Sequence, residues 1–225
     1  MNATLVIPAL NEAGVIGDVV RRVPPGTVRE VIVVDNGSVD ATALVAARAG
    51  ARVVSEPRRG YGAACWAGVN AVSTDTEVVA FLDGDGSQSP EELPVILEPI
   101  EAGRAEFVLG ARRFDGAHPM HAALGSQLVA RFIAWRHGTP LTDIAPFRAI
   151  HVGLLRRLDM RDRGLGWPVE MVAKAAARGA RIVEIPVSHS PRQAGRSKVS
   201  GTLVGSLRAG CRFLVVALSV SRRAA

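Results

Sequence analysis

Short runs of buried-type residues alternate with longer amphipathic stretches along much of this chain. Leu5-Val6-Ile7, Val31-Ile32-Val33-Val34, Ala51-Arg52-Val53-Val54, Val78-Val79-Ala80-Phe81-Leu82 and Phe107-Val108-Leu109 are apolar, mostly β-branched segments. Their length and composition predict strands covered on both faces. Glu12 to Val23 and Asp40 to Ala49 carry apolar residues at helical spacing, with Ser38 or Asp40 placed to cap the second. Strand, helix, strand in repetition predicts an α/β fold, a mostly parallel central sheet with helices on both faces.

Ligands of such sheets sit outside the carboxyl ends of the strands, and there the chain turns polar. The first run ends in Pro8-Ala9-Leu10-Asn11-Glu12, the second in Asp35-Asn36-Gly37-Ser38 and the fourth in Asp83-Gly84-Asp85-Gly86-Ser87. Asp83 and Asp85, one glycine apart, can present two carboxylates on one side of a tight turn. Magnesium or manganese takes such hard oxygen ligands and leaves its other positions to phosphate and water. A solvated Asp-Gly turn is the plainer alternative. Asp35 is suited to accept hydrogen bonds from a base or ribose, or to form an Asx turn capping the next helix. Arg58-Arg59-Gly60-Tyr61-Gly62 precedes a helix-like stretch and suits a phosphate or ribose.

Composition narrows the partners. The chain has 225 residues, 48% of them apolar, enough for one well-buried core. Two cysteines far apart suggest neither a disulfide framework nor a zinc site, and the five histidines form no metal-ligand pattern. The net charge is +6, yet no acidic residue follows Glu184, while Arg192, Arg196, Lys198, Arg208, Arg212, Arg222 and Arg223 all do. The positive field therefore belongs to one end, where phosphate groups or a membrane surface are expected to bind. Ten aromatic residues and no recognisable binding motif argue against nucleic acid. The start of the chain lacks the basic stretch, apolar run and cleavage site of a leader, so a cytoplasmic setting is expected.

The ordered motifs resemble family 2 glycosyltransferases, within them the dolichol- or polyprenol-phosphate mannosyl- and glucosyltransferase-like group. The matching segments are Val6-Ile-Pro-Ala-Leu-Asn-Glu12, Val33-Val-Asp-Asn-Gly-Ser-Val-Asp-Ala-Thr42, Gly60-Tyr-Gly-Ala-Ala64, Phe81-Leu-Asp-Gly-Asp-Gly86, Leu109-Gly-Ala-Arg112, Thr142-Asp-Ile-Ala-Pro-Phe-Arg-Ala149 and Arg196-Ser-Lys-Val-Ser-Gly-Thr202. The resemblance implies a glycosyltransferase A-type fold and inverting transfer of a hexose from a nucleoside-diphosphate sugar, UDP-glucose or GDP-mannose. It implies that Pro8, Asn11, Glu12, Asp35 and Gly60 meet the nucleotide-sugar. Asp83 and Asp85 would hold Mg2+ or Mn2+ on the diphosphate. Arg112, Arg148, Arg196 and Lys198 would meet phosphates of donor or acceptor. Asn36 stands where the group often has a second aspartate, and Ser87 where it often has glutamine.

Breaking the sugar–phosphate bond drives negative charge onto the departing diphosphate, which a divalent ion and fixed cations stabilise. A polyprenyl-phosphate acceptor is already ionised and needs no strong base. A soluble hydroxyl acceptor needs one, and Asp143 and Glu170 are the candidates. Residues 1–202 are expected to form the transferase domain and 203–225 an amphipathic helical tail, with Leu203, Leu207, Cys211, Leu214 and Leu218 at helical spacing. Its longest apolar run, Phe213 to Leu218, is too short to span a bilayer. It suits peripheral membrane association at the inner face, or packing on the core or on a second subunit as a homodimer. A nucleotidyltransferase would carry a Gly-rich basic loop after the first strand, which Pro8-Ala-Leu-Asn-Glu12 is not. A non-enzymatic membrane-surface module would have no need of Asp83 and Asp85.

Overall fold

The structure, a computed structural model, describes residues 1–112, 120–193 and 203–220, the side chains of 120–124, 203–209 and 211 excepted. Seven strands, β1 (Ala3–Ala9), β2 (Glu30–Asp35), β3 (Arg52–Ser55), β4 (Val78–Phe81), β5 (Phe107–Arg112), β6 (Arg148–His151) and β7 (Ile182–Val187), form one sheet in the order β3-β2-β1-β4-β6-β5-β7. Every neighbouring pair is parallel except the two that involve β6, which runs against both β4 and β5. The expected α/β sheet is present, and all five anticipated strands lie in it.

Strand periodicity divides the core into two layers, because successive side chains leave opposite faces. Val6, Ile32, Val34, Val79, Phe81, Phe107, Leu109 and Ile150 point to one face. There they meet α3 (Tyr61–Ala71), α5 (Met120–His137), α6 (Val152–Arg157), α7 (Trp167–Ala177) and α8 (Leu203–Ser219). Leu5, Ile7, Val33, Val78, Ala80 and Val108 point to the other face. That face carries α1 (Ile16–Arg21), α2 (Thr42–Arg48) and α4 (Leu93–Glu101). Continuous apolar runs follow directly from this two-sided burial.

The first helix is shorter than its sequence pattern suggests. Asn11 has φ 53°, and the Glu12 carbonyl accepts from the amides of Val15 and Ile16, so a turn occupies the start of the anticipated helix. Register then aligns the strand ends: Ala9 pairs with Asp35, and Val6 with Phe81. Because β6 runs in reverse, its first residue, Arg148, lies opposite Phe81 and Leu109 at the same rim. The tail helix α8 packs on α5 and α7, with Val216, Ala217 and Val220 buried and Leu214, Val215 and Leu218 exposed. Among the described residues no helix is long and apolar enough to cross a membrane.

Helix α3 lies close to β1 because Gly68 leaves room for it. A Cβ there would stand 2.3 Å from Val6 Cγ1 and 3.1 Å from Val34 Cγ2. Gly68→Ala should destabilise the chain by about 1–3 kcal/mol through overpacking. Gly125→Ala in α5, where a Cβ meets nothing within 4 Å, should add about 0.5–1 kcal/mol. Urea unfolding midpoints check both, and equal shifts would contradict the packing assigned to α3.

Candidate active site

Asp83 emerges two residues beyond β4 and Asp85 follows two residues later. Gly86, at φ 73°, takes the left-handed conformation that closes this turn. The Asp85 Oδ1 accepts from the Ser87 amide at 2.9 Å, and Asp83 receives the Tyr61 hydroxyl on Oδ1 at 3.1 Å. Gln88 folds back, its Oε1 accepting from the Asp83 amide at 3.1 Å. Burial, together with the neighbouring Asp85 charge, pushes the Asp83 carboxyl up to about 6, while the Tyr61 bond and the cations Arg148 and Arg112 oppose that rise.

A carboxylate whose proton affinity is raised by burial and by a neighbouring carboxylate forms with that neighbour a fitting donor set for a divalent cation, which relieves the repulsion. Asp83 and Asp85 would hold it. Among the described residues no group of three or more His, Cys, Asp and Glu is gathered to cage a metal, so substrate phosphate and water would supply the other oxygens.

A cation already sits at this turn. Arg192 donates from Nη1 to Asp85 Oδ2 at 2.9 Å and from Nη2 to Glu12 Oε1 at 2.5 Å, joining the ends of β1 and β4. Its segment is pinned alongside: the Ser190 amide and His189 Nδ1 lie 2.8 Å from the Ser87 carbonyl, and the Gln193 amide reaches the Asp85 carbonyl. The basic end of the chain thus directs Arg192 to internal carboxylates, as Arg212 is directed to Asp162. Arg196 and Lys198, expected at phosphates, lie outside the described residues.

The residues expected to meet a nucleoside converge at the ends of β1 and β2. Pro8 is in β1 beside Val34. Asn11 accepts from the Val39 amide through Oδ1, and its own amide donates to Ser38 Oγ. The Glu12 amide donates to Thr42 Oγ1. Asp35 accepts from the Ser38 amide at 3.1 Å, a bond to the third residue on that stops short of capping α2, whose N-cap Ala41 has no side-chain cap. Asn36 explains its own departure from the family pattern. Its amide nitrogen donates to the Glu56 and Arg58 carbonyls and its oxygen accepts from the Gly60 amide. A carboxylate in that place lacks the two donors.

Several of the expected site residues are engaged within the fold. Gly60 does not offer its amide to a ligand: the N–H goes to Asn36, φ is 149°, and a Cβ would stand 2.3 Å from the Arg163 carbonyl. The adjoining amides of Gly62 and Ala63 are filled by the carbonyls of Gly164 and Arg163, so the start of α3 is no phosphate cradle. Arg148 is only 1% exposed and donates to the carbonyls of Pro146 and Pro168. Burial lowers its pKa against the opposing pull of Tyr61, Cys65, Asp83 and Asp143. It is a buried countercharge to Asp83 and Asp143, away from solvent.

Asp143 is buried and grips Arg112 in a fork, 2.7 Å from Nε and 2.6 Å from Nη2, with Ser126 Oγ at 3.0 Å. Burial alone would raise its pKa, but the Arg112 guanidinium outweighs burial and holds the carboxyl below the usual range. A carboxylate so paired is a weak base, and Asp143 serves to orient Arg112. Glu170 also leaves the base role. Its oxygens accept from the amides of Arg161 and Asp162 at 2.8–3.1 Å and pair with Lys174 at 2.6 Å. Tyr61, Gln88 and Arg192 were not anticipated at the aspartates. Only Gln88, adjacent to the motif, was within reach of local pattern reading.

The profile described as glycosyl transferase family 2 matches residues 4–158. The chain belongs to this family. It is similar to an uncharacterised glycosyltransferase of Mycobacterium tuberculosis, 44% identical over 206 residues, covering 91% of this chain and 92% of that protein. It is also similar to the undecaprenyl-phosphate mannosyltransferase of Micrococcus luteus, 31% identical over 91% of this chain and 90% of that one. Among solved structures, glucosyl-3-phosphoglycerate synthase of Mycobacterium tuberculosis, crystallised with Mn2+, UDP-glucose and phosphoglyceric acid, superposes with a TM-score of 0.78 at 25% identity. That match covers 97% of this chain and 79% of that chain. The family 2 glycosyltransferase therefore carries its aspartate pair on a glycosyltransferase A-type sheet.

If Asp83 ligates a divalent metal, its raised pKa sets a pH dependence for that binding. Above about 6 the carboxylate is ionised and ready to ligate; below it a proton competes with the metal. Mn2+ affinity should be level from about pH 7 upward and fall about tenfold per pH unit below about 6. Calorimetric titration across this range checks it, and an affinity that stays level to about pH 5 would remove Asp83 from the ligand set.

Proposed function

We propose that this glycosyltransferase moves a hexose, with inversion, from a nucleoside-diphosphate sugar to a polyprenyl phosphate, with Mg2+ or Mn2+ on the donor diphosphate. The observation that carries the acceptor assignment is the commitment of both candidate bases. Asp143 is locked to Arg112, and Glu170 to Lys174 and two amides. A hydroxyl must lose a proton as it attacks, whereas an ionised phosphate attacks without one. The likeness to the undecaprenyl-phosphate mannosyltransferase supports the same choice. UDP-glucose and GDP-mannose are the donors to try first.

In this reading Pro8, Asn11, Glu12 and Asp35 bind the nucleoside, and Asp83 and Asp85 hold the metal on the diphosphate. The metal when bound neutralises charge on the leaving diphosphate. Arg112, oriented by Asp143, meets a phosphate of donor or acceptor. Arg196 and Lys198 are proposed to do the same. Arg148 and Tyr61 keep the aspartate pair in place from beneath. The second reading, a soluble hydroxyl acceptor, draws support from the structural likeness to a synthase crystallised with phosphoglyceric acid.

The apolar surface of α5 and α8 suits action at the cytoplasmic face of a membrane. Leu128, Arg131, Phe132 and Trp135 share one stripe of α5 by their spacing, and Trp135 is 72% exposed. Leu214 and Leu218 are exposed on α8, against which α5 packs. Tryptophan and arginine beside leucine are the side chains that settle at a lipid headgroup boundary.

Purified protein given radiolabelled UDP-glucose or GDP-mannose with Mn2+ should transfer label to undecaprenyl phosphate and not to phosphoglycerate. Transfer to the soluble acceptor alone would establish the second reading. Asp85→Ala should reduce transfer at least about 100-fold by removing a metal ligand. Co-sedimentation with phosphatidylglycerol vesicles should fall severalfold in Trp135→Ser, and an unchanged bound fraction would take α5 off the membrane.

A further inference from the structure

The segment from Met160 to Gly164 joins the tail helix to the aspartate pair. At its far end it caps α3: the Arg163 and Gly164 carbonyls accept from the amides of Ala63 at 2.8 Å and Gly62 at 3.0 Å. The Arg163 guanidinium lies over the Trp66 ring, 4.5 Å from its centre, which fixes the same contact from the side. Tyr61, the first residue of α3, donates its hydroxyl to Asp83. At its near end the segment is held by Asp162. One carboxylate oxygen accepts from the Gly164 amide at 2.7 Å, and the other takes Nε and Nη2 of Arg212, on α8, at 3.0 and 2.5 Å.

The two partners differ in what they lose when separated. The Asp162 side chain is 3% exposed and that of Arg212 is 55% exposed. A buried carboxylate stripped of its cation is driven to find water. An open cleft of about 740 Å³ between α7 and α8 borders it, lined by Asp162, Glu170, Arg212 and Val216 among others. Rotation of Asp162 into that cleft releases Gly164, and with it the carbonyls that hold the first turn of α3. A guanidinium freed on the surface is simply hydrated.

We propose that Asp162 and Arg212 are positioning residues of the donor site. Their ion pair lets the packing of α8 set the place of the 160–164 segment, of Tyr61 and so of Asp83. Glu170 belongs to the same device, since its carboxylate holds the Arg161 and Asp162 amides. This rests on Asp83 being a donor-site residue, and on neither the identity of the sugar nor that of the acceptor.

The chain contains a single tyrosine, so protein grown with 3-fluorotyrosine gives one fluorine resonance, from Tyr61. Without any ligand, Arg212→Ala and Asp162→Asn should move that resonance toward its position in Asp83→Asn, where the carboxylate partner is gone. Arg212→Lys, which keeps a charge, should move it less. Arg161→Ala, whose exposed side chain pairs with Asp159, should leave it in place. Affinity for UDP with Mn2+ should fall about tenfold in Arg212→Ala, the equilibrium value of one charge-assisted hydrogen bond. Arg212 is substituted first because its exposure lets the chain stay folded, which thermal melting verifies. A folded Arg212→Ala protein with an unmoved resonance would overturn the proposal even if nucleotide binding changed. A moved resonance with no UDP binding in any variant would sustain the relay and remove UDP as the nucleotide.

Discussion

Placing Asp83 beside Asp85 at a half-buried rim of the sheet is costly, because burial and the Asp85 charge both disfavour the ionised form of Asp83. Much of the surrounding architecture answers that repulsion. Arg148 lies beneath as a fully buried cation, Tyr61 donates to one carboxylate, Ser87 caps the other, and Arg192 bridges Asp85 to Glu12. These groups come from α3, β6, the turn itself and the segment after β7. A pair of charges separated by one residue thus determines contacts contributed from across the chain.

Other polar residues that look free in the sequence are also already engaged. Asp143 and Glu170 are acidic residues near the right motifs, yet one orients Arg112 and the other holds a loop. Gly60 and Gly62 have the spacing of a phosphate loop, and their neighbourhood is taken by the 163–164 carbonyls. How far a carboxylate or an amide is committed within the fold is decided in part by residues distant in sequence.

Legibility in the sequence follows this distinction. The five strands buried on both faces announce themselves as apolar runs, since each residue there meets a core layer. β6 begins with Arg148 and ends with His151, and β7 is interrupted by Glu184 and Pro186, so neither reads as a strand until tertiary pairing places it. The aspartate pair was readable because its geometry is local to four residues. Arg192 was not, being 107 residues from Asp85 and 180 from Glu12. Asn36 looked like a lost aspartate until its three bonds to the 56–60 loop gave the amide its own reason.

The reversed strand β6 has an effect on how such a protein can diversify. It separates a parallel block of β3, β2, β1 and β4 from a second block of β5 and β7. The first block carries the ends proposed for the nucleoside and diphosphate, while Arg112, Asp143 and Glu184 belong to the second block and the turn before β6. Insertions or substitutions in the second block leave the register of the first untouched. In the proposed arrangement, one half of the rim is therefore free to be remodelled for a new acceptor while the other keeps its hold on the same class of activated sugar.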